Sequence, residues 1–352
     1  MTSLASVMEQ YQAEFLKEYG HRLLSSQKKA LRDIISCRTP AAGIALLKCT
    51  GCGRRDMQPM SCGHRSCPGC QHFQGTQWLE RQRKKLLPVD YFMVTFTLPA
   101  QLRSLAWWHQ RKVYAILFEA ASSTLKQFGS HPQGLDASLG MTGVLHTHNR
   151  REDYHPHIHF IVPGGGVNKR RREWRKVKGN YLFKQENLAT VFRARVLRGL
   201  NEARLLSVDD LPASLPKKWV VDCKHVGKGE PALKYLSRYL YRGTLSERNI
   251  VANKDGQVTF SFIDSKTGKV AHRTLLGKDF LWLILKHVLP IGFRRVRDYG
   301  FLHGNARATL LLVQLVLQVK VPEPVELERP TWSCRHCGEP MKVIAFKFLR
   351  PG

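Results

Sequence analysis

Three histidines at alternate positions, His155, His157 and His159, stand in the stretch YHPHIHFIVPGGG from Tyr154 to Gly166. Successive side chains of a strand point to opposite faces, so a strand here lines one face with imidazoles and leaves Ile158, Phe160 and Val162 for packing. Neutral imidazole is the commonest metal ligand, and the spacing favours a metal site over histidines that are merely solvated or hydrogen-bonded. A second set of metal-ligating residues precedes it. Cys49, Cys52, Cys67 and Cys70 form C-x2-C-x14-C-x2-C, close to the ribbon template in which two tight pairs give four thiolates to one Zn2+. Four ligands fill that site. Cys62, a further zinc candidate in SCGHRSC, and Cys37 are therefore either bystanders or members of a second, less regular site. Cys334 and Cys337 in CRHC make half a site, whose partners must come from elsewhere in the chain or from a second subunit.

Composition says what such metals act on. The chain has 352 residues, 56 Lys and Arg against 27 Asp and Glu, and a formal charge of +29, while 43% of it is hydrophobic. A folded protein this basic seeks a polyanion, and nucleic acid is the usual one. No stretch approaches the roughly 20 apolar residues of a spanning helix, and the start MTSLASVMEQYQAEF lacks the charged-then-apolar pattern of a signal peptide. The expectation is a cytoplasmic, nucleoid-associated protein with no membrane partner.

Apolar periodicity supplies the elements that must hold these residues. Two helices are expected over 7–36, a ribbon over 37–72, and a basic helix QGTQWLERQRKKLL ended by Pro88. YFMVTFTLP reads as a strand, LAWWHQRKVYAILFEAASSTLKQF as one helix, and GMTGVLHTH with HIHFIVPGGG as adjacent strands. A basic loop from Lys169 to Lys178 follows, then a helix from about Glu186 to Leu206 and the helix EPALKYLSRYLYRG. VTFSFID and VAHRTLL form a hairpin, and LWLILKHVL is an apolar helix. The order predicts an α+β chain in three parts: a helical, zinc-binding, DNA-docking domain over 1–87, a mixed α+β domain over 88–300, and a C-terminal helix and tail over 301–352. If GVLHTH pairs antiparallel with HIHFIV, any register opposing an even to an odd residue brings His146 and His148 to the metal face. Parity does not separate those two. Glu152, Asp153 and His155 are rivals for a third ligand.

In KYLSRYLYR, Tyr235 and Tyr239 stand four apart, so on a helix both hydroxyls leave one face, amid Lys234, Arg238 and Arg242. Taken alone, aromatic residues at this spacing more often pack into a core.

Taken together, the His-hydrophobic-His strand, the downstream pair of tyrosines, the basic charge and the ribbon resemble the HUH endonucleases. More narrowly they resemble the two-tyrosine rolling-circle transposases of insertion-sequence family ninety-one. CRT, SCGHRSCPGCQ, VLHTH, HPHIHFIVPGGG, YLSRYLYR and HVLPIGFRRVRDYGFL follow that family's order over nearly the whole chain. The resemblance implies an antiparallel HUH sheet in which His157 and His159, with His146 as third ligand by the family's histidine at that place, hold a catalytic Mg2+ or Mn2+. It also implies that Tyr235 and Tyr239 are the nucleophiles and that cleavage leaves a 5′-phosphotyrosine and a free 3′-OH. Lys234 and Arg238 would supply charge to the phenolate, and Arg170, Arg171 and Arg172 would track a DNA backbone. The expected partners are single-stranded or melted DNA and further copies of the chain. A rolling-circle replication initiator with the same chemistry is the nearest alternative. A regulator that binds DNA through its zinc ribbon without cutting it, or a zinc hydrolase of another substrate, belongs to a different class, and neither would leave protein covalently attached to DNA.

Overall fold

The computed structural model describes residues 3–348 apart from 71, 180, 208, 232, 234–244, 265, 322 and 324–330. Tyr235, Tyr239, Lys234 and Arg238, and most of the helix expected around them, thus lie outside the described residues. The chain begins with α1 (Leu4–Tyr19), α2 (Ser25–Ile35), β1 (Ile44–Cys49), β2 (Arg55–Pro59), α3 (His72–Arg83) and β3 (Asp90–Thr97). It continues with α4 (Arg103–Trp108), α5 (Gln110–Gly129), β4 (Gly140–His148), β5 (Tyr154–Pro163), β6 (Gly165–Asn168), β7 (Glu173–Lys176) and α6 (Gln185–Glu202). Then come β8 (Val221–Lys228), β9 (Ile250–Lys254), β10 (Gln257–Ile263), β11 (Val270–Leu276), α7 (Gly277–Leu285), β12 (Val296–Gly300), α8 (Arg307–Val316), β13 (Trp332–Ser333) and β14 (Pro340–Lys347).

The α+β expectation holds, and its centre is a five-stranded antiparallel sheet in the order β12-β4-β5-β3-β8. Alternation sorts its two faces. Phe92, Val94 and Phe96 of β3, Leu145 of β4, and Ile158 and Phe160 of β5 are all buried in one core with Val113, Leu117 and Phe118 of α5 and Phe192 and Val196 of α6. The apolar residues of α5 recur every three or four positions, which is why that helix lies flat on the sheet. Burying one such Phe or Val side chain contributes about 1.5–3 kcal/mol, so this face is the rigid one. The opposite face carries the histidines. The stretch expected as one helix is two, because His109, at φ −122° and ψ 38°, breaks it between α4 and α5.

The three expected domains are interleaved in space. Val7, Met8 and Phe15 of α1 and Leu31 and Ile34 of α2 share a buried core with Val258 and Phe260 of β10 and Phe280 and Ile284 of α7. Tyr19 stacks on Trp282 at 5.0 Å between ring centroids, and the Tyr11 hydroxyl donates to Asn253 Oδ1 at 2.7 Å. At the other end, β14 pairs antiparallel with β1 in a sheet ordered β13-β14-β1-β2. Amphipathic spacing shows that a helix has an apolar face; it does not say which distant segment seals it. Among the described residues no helix is long and apolar enough to cross a membrane.

Candidate active site

The two central strands bring the imidazoles together. In the β4–β5 register His146 faces His157 and Val144 faces His159, so 144, 146, 157 and 159 share one sheet face. Ring centroids of His146 lie 5.3 Å from His157 and 4.6 Å from His159, and those of His157 and His159 are 4.7 Å apart. One nitrogen of each lies within 4.8 Å of the others, and all three residues are buried. Burial holds His157 down to about 4 and His159 to about 3, and pushes His146 well below the usual imidazole range. All three are therefore neutral at pH 7, the protonation state a metal ligand requires.

Hydrogen bonds orient the rings. His157 Nδ1 lies 2.7 Å from the His155 carbonyl, which can only accept, so Nδ1 carries the proton and Nε2 a lone pair. Thr95 Oγ1, on the neighbouring strand and directly opposite His159, lies 2.8 Å from its Nδ1. The Nε2 atoms of His157 and His159 are 3.1 Å apart. Two imidazole nitrogens bound to one ion at about 2.0–2.1 Å would stand roughly 3.0–3.4 Å apart, so the trio fits a divalent cation. Partners that fix a ligand's tautomer in this way commonly control metal affinity.

The rival ligands point elsewhere. A register shift between His146 and His148 sets His148 opposite Tyr154, and its ring lies 5.2 Å from that of His287. His155 lies outside the trio, with Arg103 Nη2 2.5 Å from its Nδ1. Asp153 is held by Arg273 at 2.9 Å, and Glu152 is buried in the hairpin turn, where its carbonyl accepts from His287 Nε2 at 2.8 Å. Sequence reasoning missed Thr95 and Lys224, which stand on the histidine face of β3 and β8. The alternation of Thr with Phe in TFT was the available signal. The Arg170–Arg172 run forms the exposed tip between β6 and β7.

The cysteines gather into two groups, which corrects the single ribbon of Cys49, Cys52, Cys67 and Cys70. Cys67 and Cys70 meet Cys37 and Cys62, whereas Cys49 and Cys52 meet Cys334 and Cys337. The β1–β2 hairpin separates them. Cys49 and Cys52 sit at its tip, while Cys37 precedes and Cys62 follows its open end, where Met60 donates to Gly43 at 2.8 Å and Arg38 to Met60 at 3.0 Å. Five residues of strand span about 17 Å, too far for one ion to bridge. Sulfur separations in the first group are 3.4, 3.7 and 3.7 Å, against about 3.8 Å for a tetrahedral site with Zn–S near 2.3 Å.

Over 346 residues the chain is 34% identical to a protein named "Putative transposase y4qJ" from Sinorhizobium fredii (strain NBRC 101917 / NGR234), covering 90% of this chain and 87% of that one. The chain belongs to the IS91-type transposases. Residues 140–309 match the family model described as "Putative transposase", and residues 7–98 match the "Transposase zinc-binding domain". The transposase for insertion sequence element IS801 of Pseudomonas savastanoi pv. phaseolicola is 26% identical over 333 residues, with 89% of this chain and 78% of that one covered. Against the conjugative relaxase TrwC in complex with oriT DNA, 65% of this transposase and 73% of that chain superpose with a TM-score of 0.29 and 14% identity, too slight a likeness to bear on the fold. The zinc-binding match and the group of Cys37, Cys62, Cys67 and Cys70, which lies wholly inside it, agree that the transposase carries structural zinc.

Proposed function

We propose that this transposase is an HUH-type single-strand endonuclease and strand transferase, which moves its element by a rolling-circle route through a 5′-phosphotyrosine. The observation that carries the reading is the convergence of three buried, neutral imidazoles on the two central strands, on the sheet face opposite the packed helices. When bound by His146, His157 and His159, Mg2+ or Mn2+ supplies Lewis-acid stabilisation of charge on the scissile phosphate.

The chain's own residues do the rest. The phenol oxygen of Tyr235 or Tyr239 attacks phosphorus, the bond from phosphorus to the 3′ oxygen breaks, and that oxygen leaves with a proton as a 3′-OH. The phosphate stays on the 5′ end as a tyrosine ester, so its bond energy is kept for rejoining without a nucleotide cofactor. A phenol titrates near 10, so it needs adjacent positive charge at neutral pH, which Lys234 and Arg238 offer. Lys224, on the same sheet face as His159, is ion-paired with Asp222 at 2.9 Å, so the charge at the phenolate is assigned to Lys234 and Arg238.

The direct test is an oligonucleotide covering an element end, labelled at its 3′ end and incubated with the full chain and Mn2+. A labelled band that migrates with the protein under denaturing conditions supports the reading. Cleavage without an adduct would mean that water is the nucleophile, and binding without cleavage would leave a regulator.

The exposed β6–β7 tip is expected to follow the DNA backbone. Replacing Arg170, Arg171 and Arg172 with Ala should weaken binding of single strands and lower the slope of log affinity against log salt by about 2, at roughly 0.7 per phosphate contact. An unchanged slope removes the hairpin from the interface.

A further inference from the structure

We propose that Cys49, Cys52, Cys334 and Cys337 bind a second zinc ion, and that this ion clasps the C-terminal strand β14 into the N-terminal sheet to complete a DNA-docking face. Neither family match, 7–98 or 140–309, reaches Cys334 or Cys337. Cys49 Sγ lies 3.4 Å from Cys337 Sγ, and Cys52 Sγ 3.8 Å from Cys334 Sγ, with all four sulfurs within 4.8 Å of one another. Those separations suit tetrahedral thiolate coordination and are too long for disulfide bonds near 2.05 Å. Four thiolates select a soft, four-coordinate ion, and zinc is the common one.

The two halves are built alike. Both read C-x2-C-G, and Gly53 and Gly338 adopt φ of 73° and 78°, the left-handed conformation in which glycine lets a knuckle turn close behind its second cysteine. The Cys52 amide points at Cys49 Sγ at 3.4 Å, and the Gly338 amide donates to the Cys334 carbonyl at 2.8 Å. Thr50 joins the knuckles, its amide and hydroxyl donating to the Pro340 carbonyl at 3.1 and 2.8 Å. Around them the buried apolar residues are Ala45, Leu47, Cys49, Cys334 and Met341. A core so small needs a staple to hold a four-stranded sheet.

The assembled sheet has one strongly basic face. In register, Lys48 stands directly opposite Arg55 on one side and Lys342 on the other, and Lys347 lies on the same face opposite Ile44. Leu46, Ala345 and Met57 fill the places between, and no carboxylate lies on that face of β1, β2 or β14. Like charges directly opposite destabilise a sheet, so this arrangement points to a polyanion that relieves it. That part rests on the reading of the chain as a DNA strand transferase.

Zinc should be measured per chain in the purified full-length protein and in C334S/C337S. Two ions in the wild type and one in the variant are expected; two in both, or one in both, would overturn the clasp. If the variant does not fold, alkylation of the wild type decides. Cys52 and Cys337 are exposed, yet they should resist iodoacetamide until zinc is chelated, and rapid modification without chelator would overturn the site. For the face, Lys342→Glu with Lys347→Glu should keep both zinc ions and lower the salt slope of single-stranded DNA binding by about 1.4, at roughly 0.7 per contact. An unchanged slope would overturn the docking face and leave the clasp standing, whereas a wild type that binds no DNA would count against the functional reading itself.

Discussion

His157→Ala should lower cleavage of single-stranded DNA by about a thousandfold while leaving DNA affinity nearly unchanged. Lewis-acid stabilisation of a phosphoryl transition state is worth several kcal/mol, and each 1.36 kcal/mol is about a factor of ten in rate. Loss of one of three ligands should forfeit most of that. Affinity survives because the phosphate contacts are assigned to Lys and Arg, not to buried neutral imidazoles. His159→Ala should behave alike, and EDTA should reproduce both in the wild type, with recovery on adding Mn2+. Thr95→Val separates metal loss from misfolding. It leaves all three imidazoles in place and removes the hydroxyl 2.8 Å from His159 Nδ1, so cleavage should recover fully, at about ten- to a hundredfold more Mn2+. Cleavage that persists in His157→Ala under chelation would sink the metal assignment.

The pairing of His146, His157 and His159 was legible because strand alternation puts His157 and His159 on one face and an even-to-odd register adds His146, although His155, at the same spacing, lies outside the trio. Alternation did not choose between His146 and His148, since a register shift between them turns on backbone geometry that it does not encode; the choice of His146 came from the family resemblance. Helices α1, α2 and α7 were legible from apolar spacing, but the seal between α1 and α7 was not, because a stripe of Val7, Met8 and Phe15 fits any complementary stripe. The cysteines show a different limit. C-x14-C spacing matched a template, yet the hairpin between the pairs sends them to opposite ends of a strand. The glycine after Cys52 and Cys337, absent after Cys70, was the signal that pairs the two knuckles across the chain.

The double variant Tyr235→Phe with Tyr239→Phe should form no covalent adduct, while each single variant keeps part of its oligonucleotide cleavage and fails to transpose in cells. One nucleophile suffices to open a strand, but rolling-circle movement needs a second transesterification while the first 5′ end is still held. Residues four apart on a helix stand about 6 Å from each other on one face, so two phenols could present themselves in turn to one phosphate site with a small rotation. Tyr241, two residues beyond Tyr239, faces elsewhere on such a helix and is assigned to packing. Phe keeps the ring and its packing and removes only the oxygen, so a lost adduct reports chemistry and not folding. The readout is mass spectrometry of the nucleotide-linked peptide, which should place the modification within YLSRY. A modified Tyr241, or a double variant that still leaves protein on DNA, would reassign the nucleophile.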